Sequence, residues 1–316
     1  MSYTKLLTAT LLMILCVAAF SRAAVPPEAV ALKDEGNKLY NKGKLDSAVE
    51  KFKKALEIDS TYTFVYNNLG VVLYDKEDYT GSAENLEKAI SLDNTYEKAF
   101  NNLGNTYFAM GAYENARVCY ERSLELRPET QKHINLGNAL YALGDFDGAV
   151  EAYKKAIELD GNSAEACNNI GVALQKKGDI EGARENYVRA TKINSRYTQA
   201  YVNLGTLHYD QGRGDIKKAI EYYDRAVKID SENSLALYNL GLAYSVMGEY
   251  GKATTQLRKA NKLSPDDADI PYAIGLTFAA RKNYRNAIRN YEAALKIDPQ
   301  HMYAGEALAI AKKNDK

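Results

Sequence analysis

Asn135 to Asp160 reads N-L-G-N-A-L-Y-A-L-G-D-F-D-G-A-V-E-A-Y-K-K-A-I-E-L-D, and this stretch decides the fold. Gly144-Asp145 splits it into two halves, and the apolar residues of each half recur at spacings of three and four. That is the period of a helix with one buried face. Small residues sit at Gly137, Ala149 and Ala156, where two helices joined by a tight turn must approach closely. One such hairpin buries too little apolar surface to be stable alone, so the stretch requires neighbours of the same kind.

The neighbours are present. Glycine recurs at Gly36, Gly70, Gly104, Gly137, Gly171, Gly205, Gly241 and Gly275, in steps of 34, 34, 33, 34, 34, 36 and 34 residues. A small residue follows each one in register: Ala48, Ser82, Ala116, Ala149, Ala183, Ala219, Ala253 and Ala287. A second small series runs Ala55, Ala89, Ser123, Ala156, Ala190, Ala226, Ala260 and Ala294. Breakers fall between them at Lys42-Gly43, Met110-Gly111, Leu143-Gly144 and Met247-Gly248, and again near Asp59-Ser60, Pro128, Pro265 and Pro299. The unit is helix, tight turn, helix, turn. The expected packing sets each glycine against the first small residue of the paired helix, Gly70 against Ser82 for example. Bulky residues such as Leu69, Leu86, Leu103 and Tyr120 fill the rest.

This pattern resembles the tetratricopeptide repeat family over Ala29 to His301, more than 85% of the chain. The place that is Trp in the family motif holds Leu32, Tyr66, Phe100, His133, Cys167, Tyr201, Leu237 and Pro271. Proline there requires a helix's first turn. The resemblance implies an all-α, right-handed superhelical solenoid of eight repeats: 29–62, 63–96, 97–129, 130–163, 164–197, 198–233, 234–267 and 268–301. The sixth repeat carries two extra residues, most simply at Arg213-Gly214. Residues 302–316 form a capping helix and tail, with Tyr303, Ala307, Ile310 and Ala311 spaced for a helix that ends in Lys312-Lys313.

The resemblance also implies that the first helix of each repeat lines a concave groove. Two residues before the glycine, six consecutive repeats carry asparagine: Asn68, Asn102, Asn135, Asn169, Asn203 and Asn239. Asp34 and Ala273 hold that place at the two ends. An asparagine amide both donates and accepts, so a row of them can hold the main chain of an extended ligand, each bond contributing about 0.5–1.5 kcal/mol. The row resembles the asparagine ladder of O-linked N-acetylglucosamine transferases. Lys33, Asn37, Asn68 and Lys98 have the spacing of the dicarboxylate clamp of co-chaperone family members, although Asn102 stands at the usually basic fifth place. An aromatic stripe follows four residues after the glycine: Tyr40, Tyr74, Phe108, Tyr141 and Tyr209. It fades after Tyr209, which places most of the expected binding in the N-terminal half.

Residues 1–23 differ from the rest. Lys5 precedes an apolar run from Leu6 to Phe20, and Ser21-Arg22-Ala23 offers a small-x-small cleavage site. The run is shorter than the roughly 20 residues of a membrane span, so the reading is an exported chain, periplasmic or secreted, with residues 24–28 as a short linker. The alternatives are an uncleaved anchor, or a lipid-bearing Cys16, against which the bulky Leu15 argues. Cys119 and Cys167 lie two repeats apart and are expected as separate packed thiols.

Composition narrows the function. The 41 basic residues balance 41 acidic ones, and loss of Lys5 and Arg22 with the signal leaves 39 against 41. A near-neutral chain has no electrostatic footprint for nucleic acid. His133, His208 and His301 occupy three different repeat places and do not converge on a metal. Arg213-Gly214-Asp215, an adhesion tripeptide, reads as turn chemistry. No phosphate loop or nucleophile elbow occurs. The expectation is a non-enzymatic scaffold, with no cofactor and no small-molecule substrate, that binds another protein or an extended peptide outside the cytoplasm. The alternatives are a self-assembling scaffold and a clamp for acidic C-terminal peptides. About 15 residues follow the last repeat, too few for a catalytic domain.

Overall fold

A computed structural model describes residues 24–315 apart from 211, 213 and 214. The expected signal segment 1–23 with Cys16, and the expected insertion at Arg213-Gly214, lie outside the described residues.

Among the described residues the chain forms seventeen α-helices and no strand. The first helices of successive pairs are α1 (Pro27–Tyr40), α3 (Thr63–Asp75), α5 (Glu97–Ala109), α7 (Thr130–Ala142), α9 (Ala164–Lys176), α11 (Thr198–Asp210), α13 (Ser234–Val246) and α15 (Asp269–Ala280). Their partners are α2 (Leu45–Ile58), α4 (Tyr79–Leu92), α6 (Tyr113–Leu126), α8 (Phe146–Leu159), α10 (Ile180–Ile193), α12 (Ile216–Ile229), α14 (Tyr250–Leu263) and α16 (Tyr284–Ile297). A last helix, α17 (Ala304–Asn314), packs on α16. None of these helices is long and apolar enough to cross a membrane. The chain divides into two compact units, one through Arg127 with α1–α6 and one from Pro128 with α7–α17.

The turn inside each pair needs one residue in the left-handed region. Gly43, Gly111, Gly144, Gly178, Gly212 and Gly248 supply it, with φ between 70° and 93°. Glu77 (62°) and Lys282 (58°) supply it without glycine's freedom. The turn between pairs is built from a side chain. Asp59, Asp93, Asp160, Asn194, Asp230, Asp267 and Asp298 each accept, through Oδ1, the backbone N–H two residues ahead. Pro271 lies in the first turn of α15, where its missing N–H leaves no bond unmade.

The two small-residue series are fully buried, with Ala48, Ala55, Ala116, Ala149, Ala156, Ala183 and Ala190 all at 0% exposure. The recurring glycines do a different job from the one their sequence spacing suggests. A Cβ on Gly70 would meet Leu86 at 2.5 Å rather than Ser82. Each repeated glycine likewise faces a bulky residue of the paired helix, sixteen positions on (eighteen in the sixth repeat, which has two extra residues): Phe52, Leu86, Tyr120, Tyr153, Tyr187, Tyr223, Leu257 or Tyr291, at 2.4–2.6 Å from the missing Cβ. The glycine thus opens a slot for a large side chain, and the backbones do not have to touch. Ser82 instead hydrogen-bonds Thr106 across to α5 (2.9 Å), both residues being fully buried.

The tyrosines in these slots are tied at their far ends. Tyr120 donates to Asn105 Oδ1 and Tyr153 to Asn138 Oδ1 (both 2.8 Å), and Tyr187 donates to Gln175 (2.9 Å). A buried hydroxyl needs such a partner. Burial pushes all three phenols above their ordinary pKa, so they stay protonated donors. Cys119 and Cys167 are buried free thiols, and burial raises the pKa of both.

Candidate functional site

Within the first unit α1 touches α3 and α3 touches α5, while α2, α4 and α6 make no comparable contact with one another. The second unit repeats this: α9, α11, α13, α15 and α17 touch in succession, and their partners do not. Elements on the inside of a bend crowd together, so the first helices line the concave side of each unit.

Asparagine amides bridge these first helices. In the first unit Asn102 Nδ2 donates to Asn67 Oδ1 (2.8 Å), Asn67 to Asn68 Oδ1 (3.3 Å), and Asn68 to Asn37 Oδ1 (2.9 Å). In the second unit Asn203 donates to Asn168 (2.9 Å), Asn168 to Asn169 (3.2 Å), and Asn169 to Asn138 (3.3 Å). Each member of the second relay lies 101 residues, or three repeats, after its counterpart. Four of the six asparagines expected to grip a ligand, Asn68, Asn102, Asn169 and Asn203, are therefore already bonded to other asparagines. An amide carries two N–H groups and one oxygen with two lone pairs. Asn68 and Asn169 use one N–H and one lone pair in the relay, which leaves one of each. Asn135 accepts from Gln131 Nε2 (3.2 Å) and Asn203 from Gln199 Nε2 (3.1 Å). Asn239 is half-buried at the matching place on α13.

Lys33 pairs with its neighbour Asp34 at 2.9 Å, and that carboxylate holds the ammonium above its ordinary pKa. Asn37 and Asn68 are joined by the relay, and Lys98 is exposed on α5. The clamp residues thus stand with a carboxylate already on one of the two cations. A ligand carboxylate at Lys33 would have to compete with it.

The aromatic stripe is only half free. Tyr74 packs edge-on against Tyr79 (5.4 Å between centroids), Phe108 against Tyr113 (5.2 Å), and Tyr141 lies tilted on Phe146 (5.3 Å). Each ring seals its own hairpin turn, so part of the surface expected to hold a ligand is already covered. Tyr40 instead donates its hydroxyl to Asp75 Oδ2 of α3 (2.6 Å), and that bond pushes its pKa up to about 12. Tyr209 is half-buried.

Two features of the concave sides go beyond the asparagine, lysine and aromatic series. Asn67, Asn168 and Asn138 complete the relays, and the doublets Asn67-Asn68 and Asn168-Asn169 were their signal in the sequence. In the second unit Leu235, Val246 and Leu276 are exposed on α13 and α15, so apolar surface takes over where the aromatic stripe fades.

The histidines have structural partners or settings. His208 is buried, stacks on Tyr222 (5.4 Å) and contacts Asp215 (3.3 Å). His301 Nδ1 accepts from the N–H of Ala304 (3.2 Å) at the start of α17, and its Nε2 lies 3.0 Å from Asp269. His133 is half-buried. Among the described residues no cluster of three or more His, Cys, Asp or Glu could hold a metal ion.

A family model described as the C-terminal domain of cilia and flagella-associated protein 70 matches residues 94–313, more than half of the chain. A model of the TPR repeat matches residues 36–77 and 72–111. Among solved structures, the Cut9-Hcn1 hetero-tetramer of the APC/C is similar with a TM-score of 0.62 at 20% identity. That match covers 89% of this chain and 55% of the other, so this chain spans about half of that relative's length. The C-terminal part of a TPR repeat-containing protein from Cytophaga hutchinsonii matches with a TM-score of 0.56 at 15% identity, over 76% of this chain and 98% of that one. MamA matches with a TM-score of 0.51 at 26% identity, over 54% and 93%. No curated protein matches.

Proposed function

The chain belongs to the tetratricopeptide repeat family, a fold of protein–protein interaction scaffolds, and we propose that it holds an extended segment of a partner protein against its first helices, without catalysis and outside the cytoplasm. The observation that carries this reading is the pair of asparagine relays. Hydrogen bonds along each relay fix the amides in orientation, so little side-chain entropy remains to be lost when a ligand binds. Asn68 and Asn169 within the relays each keep an unused N–H and lone pair, the two functions that a peptide unit matches.

The test is a titration of the protein with capped twelve-residue peptides of mixed sequence. Asn68→Ala combined with Asn169→Ala should weaken binding tenfold or more whatever the side chains of the peptide, because the contact is to main chain. Unchanged affinity would remove main-chain capture from the account. Export is tested by sequencing the N-terminus of the protein recovered outside the cytoplasm, with Ala24 expected first.

The reading as a clamp for acidic C-termini is weakened by the Asp34 carboxylate on Lys33. Self-association draws on the exposed Leu235, Val246 and Leu276. Light scattering that finds a monomer at high concentration would sink it.

A further inference from the structure

The second repeat, like the seventh, fills its slot with leucine rather than with an aromatic ring. Tyrosines fill the slots over Gly104 and Gly137, and their hydroxyls reach asparagines one residue after the glycine. Over Gly70 the slot holds only Leu86, and the residue after the glycine is Val71. Neither ring nor amide fills the space. The result is a cavity of about 190 Å³ between α3, α4 and α5, lined by Val71, Tyr74, Asp75, Leu86, Asn102 and Asn105 above a floor of Ser82 and Thr106. That is far more than the roughly 10–15 Å³ that admits one water.

The one charged side chain in the lining is Asp75. Tyr40 holds Asp75 through Oδ2, and among the described residues no Lys, Arg or His side chain pairs with that carboxylate. Asn102 uses one amide N–H toward Asn67, so its oxygen is left to accept from a ligand, beside its second N–H. The floor has no hydroxyl hydrogen left to give: Thr106 Oγ1 donates to the Asn102 carbonyl (2.9 Å), so Ser82 donates to Thr106, and the floor too can only accept. The cavity therefore offers acceptors at the Asp75 carboxylate and the Asn102 oxygen above an accepting floor, apolar wall from Val71 and Leu86, and the ring of Tyr74.

We propose that this cavity is a socket for a cationic side chain, arginine by preference, carried by the extended ligand. A guanidinium presents five donors in a flat fork, which suits two separate acceptors, and its stem is apolar. A ring in the wall adds attraction for a cation. The proposal rests on the peptide-binding reading above and names one specificity-determining contact within it.

The experiment is a nuclear magnetic resonance titration of the full chain, read at the Asn102 side-chain amide. The probes are capped pentapeptides with arginine, citrulline or alanine at the centre of four alanines, and acetyl-arginine amide as the free small-molecule source of the same group. The arginine peptide should bind tenfold or more tightly than its citrulline counterpart, which has the same shape without the charge. Asp75→Asn should remove that difference and leave the citrulline peptide unchanged. Leu86→Phe, which places a ring over Gly70 as Phe52 does over Gly36, should fill the socket and weaken both. Equal binding of the arginine and citrulline peptides, or an Asp75→Asn protein that still prefers arginine, would overturn the proposal. Acetyl-arginine amide binding as well as the arginine peptide would overturn the assignment to a peptide. If it binds while every peptide fails to add affinity, main-chain capture falls and the cation site alone remains.

Discussion

Replacing Gly104 by alanine tests the slot arrangement that organises every repeat. The new Cβ would lie 2.5 Å from Tyr120 Cε1, 2.7 Å from Cδ1 and 3.0 Å from Cζ. Tyr120 is only 2% exposed and its hydroxyl is tied to Asn105, so the ring has nowhere to swing. Overpacking of this kind costs about 1–3 kcal/mol. Pulling the hydroxyl off Asn105 adds about 1 kcal/mol. Against this, alanine is better than glycine in a helix by about 0.8–1 kcal/mol. The net expectation is a loss of about 1–3 kcal/mol. Gly251→Ala is the control, because a Cβ there meets nothing within 4 Å, and it should stabilise by up to about 1 kcal/mol. Urea midpoints from far-ultraviolet circular dichroism should therefore move in opposite directions for the same chemical change. With Tyr120→Ala already in place, Gly104→Ala should cease to destabilise. A Gly104→Ala protein that is stabilised as Gly251→Ala is would refute the slot.

Two further measurements probe the scaffold. Glu77 and Lys282 occupy the left-handed turn position without being glycine, so Glu77→Gly and Lys282→Gly should each stabilise the fold by about 0.5–1 kcal/mol, read as a higher urea midpoint, as relieved backbone strain exceeds the added chain entropy. Burial pushes Tyr96, Tyr223, Tyr238 and Tyr291 up to about 12 from an ordinary value of 10. A raised folded pKa means the fold favours the protonated phenol. That contribution is complete below about pH 10 and is lost as pH climbs through about 12. The melting temperature should stay level up to about pH 10 and then drop, with phenolate absorbance rising as helix is lost. Phenolate absorbance titrating near pH 10 with the helix intact would contradict the burial of these rings.

Particular residues show how far the sequence could be read. The glycine rhythm marked where a hairpin needs room, because only a side chain of zero size tolerates a close neighbour. It could not say that the neighbour of Gly70 is Leu86 rather than Ser82, since both lie on the inward face of α4 and differ by about one helical turn. The six asparagines stood out by register. The bonds from four of them to Asn37, Asn67, Asn138 and Asn168 did not, because these bonds span 31 or 35 residues and depend on how the helices stagger.

The sequence by itself determined the secondary structure, the pairing of helices and the family, because small residues, breakers and apolar spacing are local and repeat many times. Only the tertiary structure decided which asparagine functions remain open, that an ion pair occupies Lys33, and that a cavity lies beside Leu86 and Asp75. Helical periodicity gives the face on which a side chain lies. Which atoms meet across two faces depends on shape and stagger, and those arise only when the helices pack.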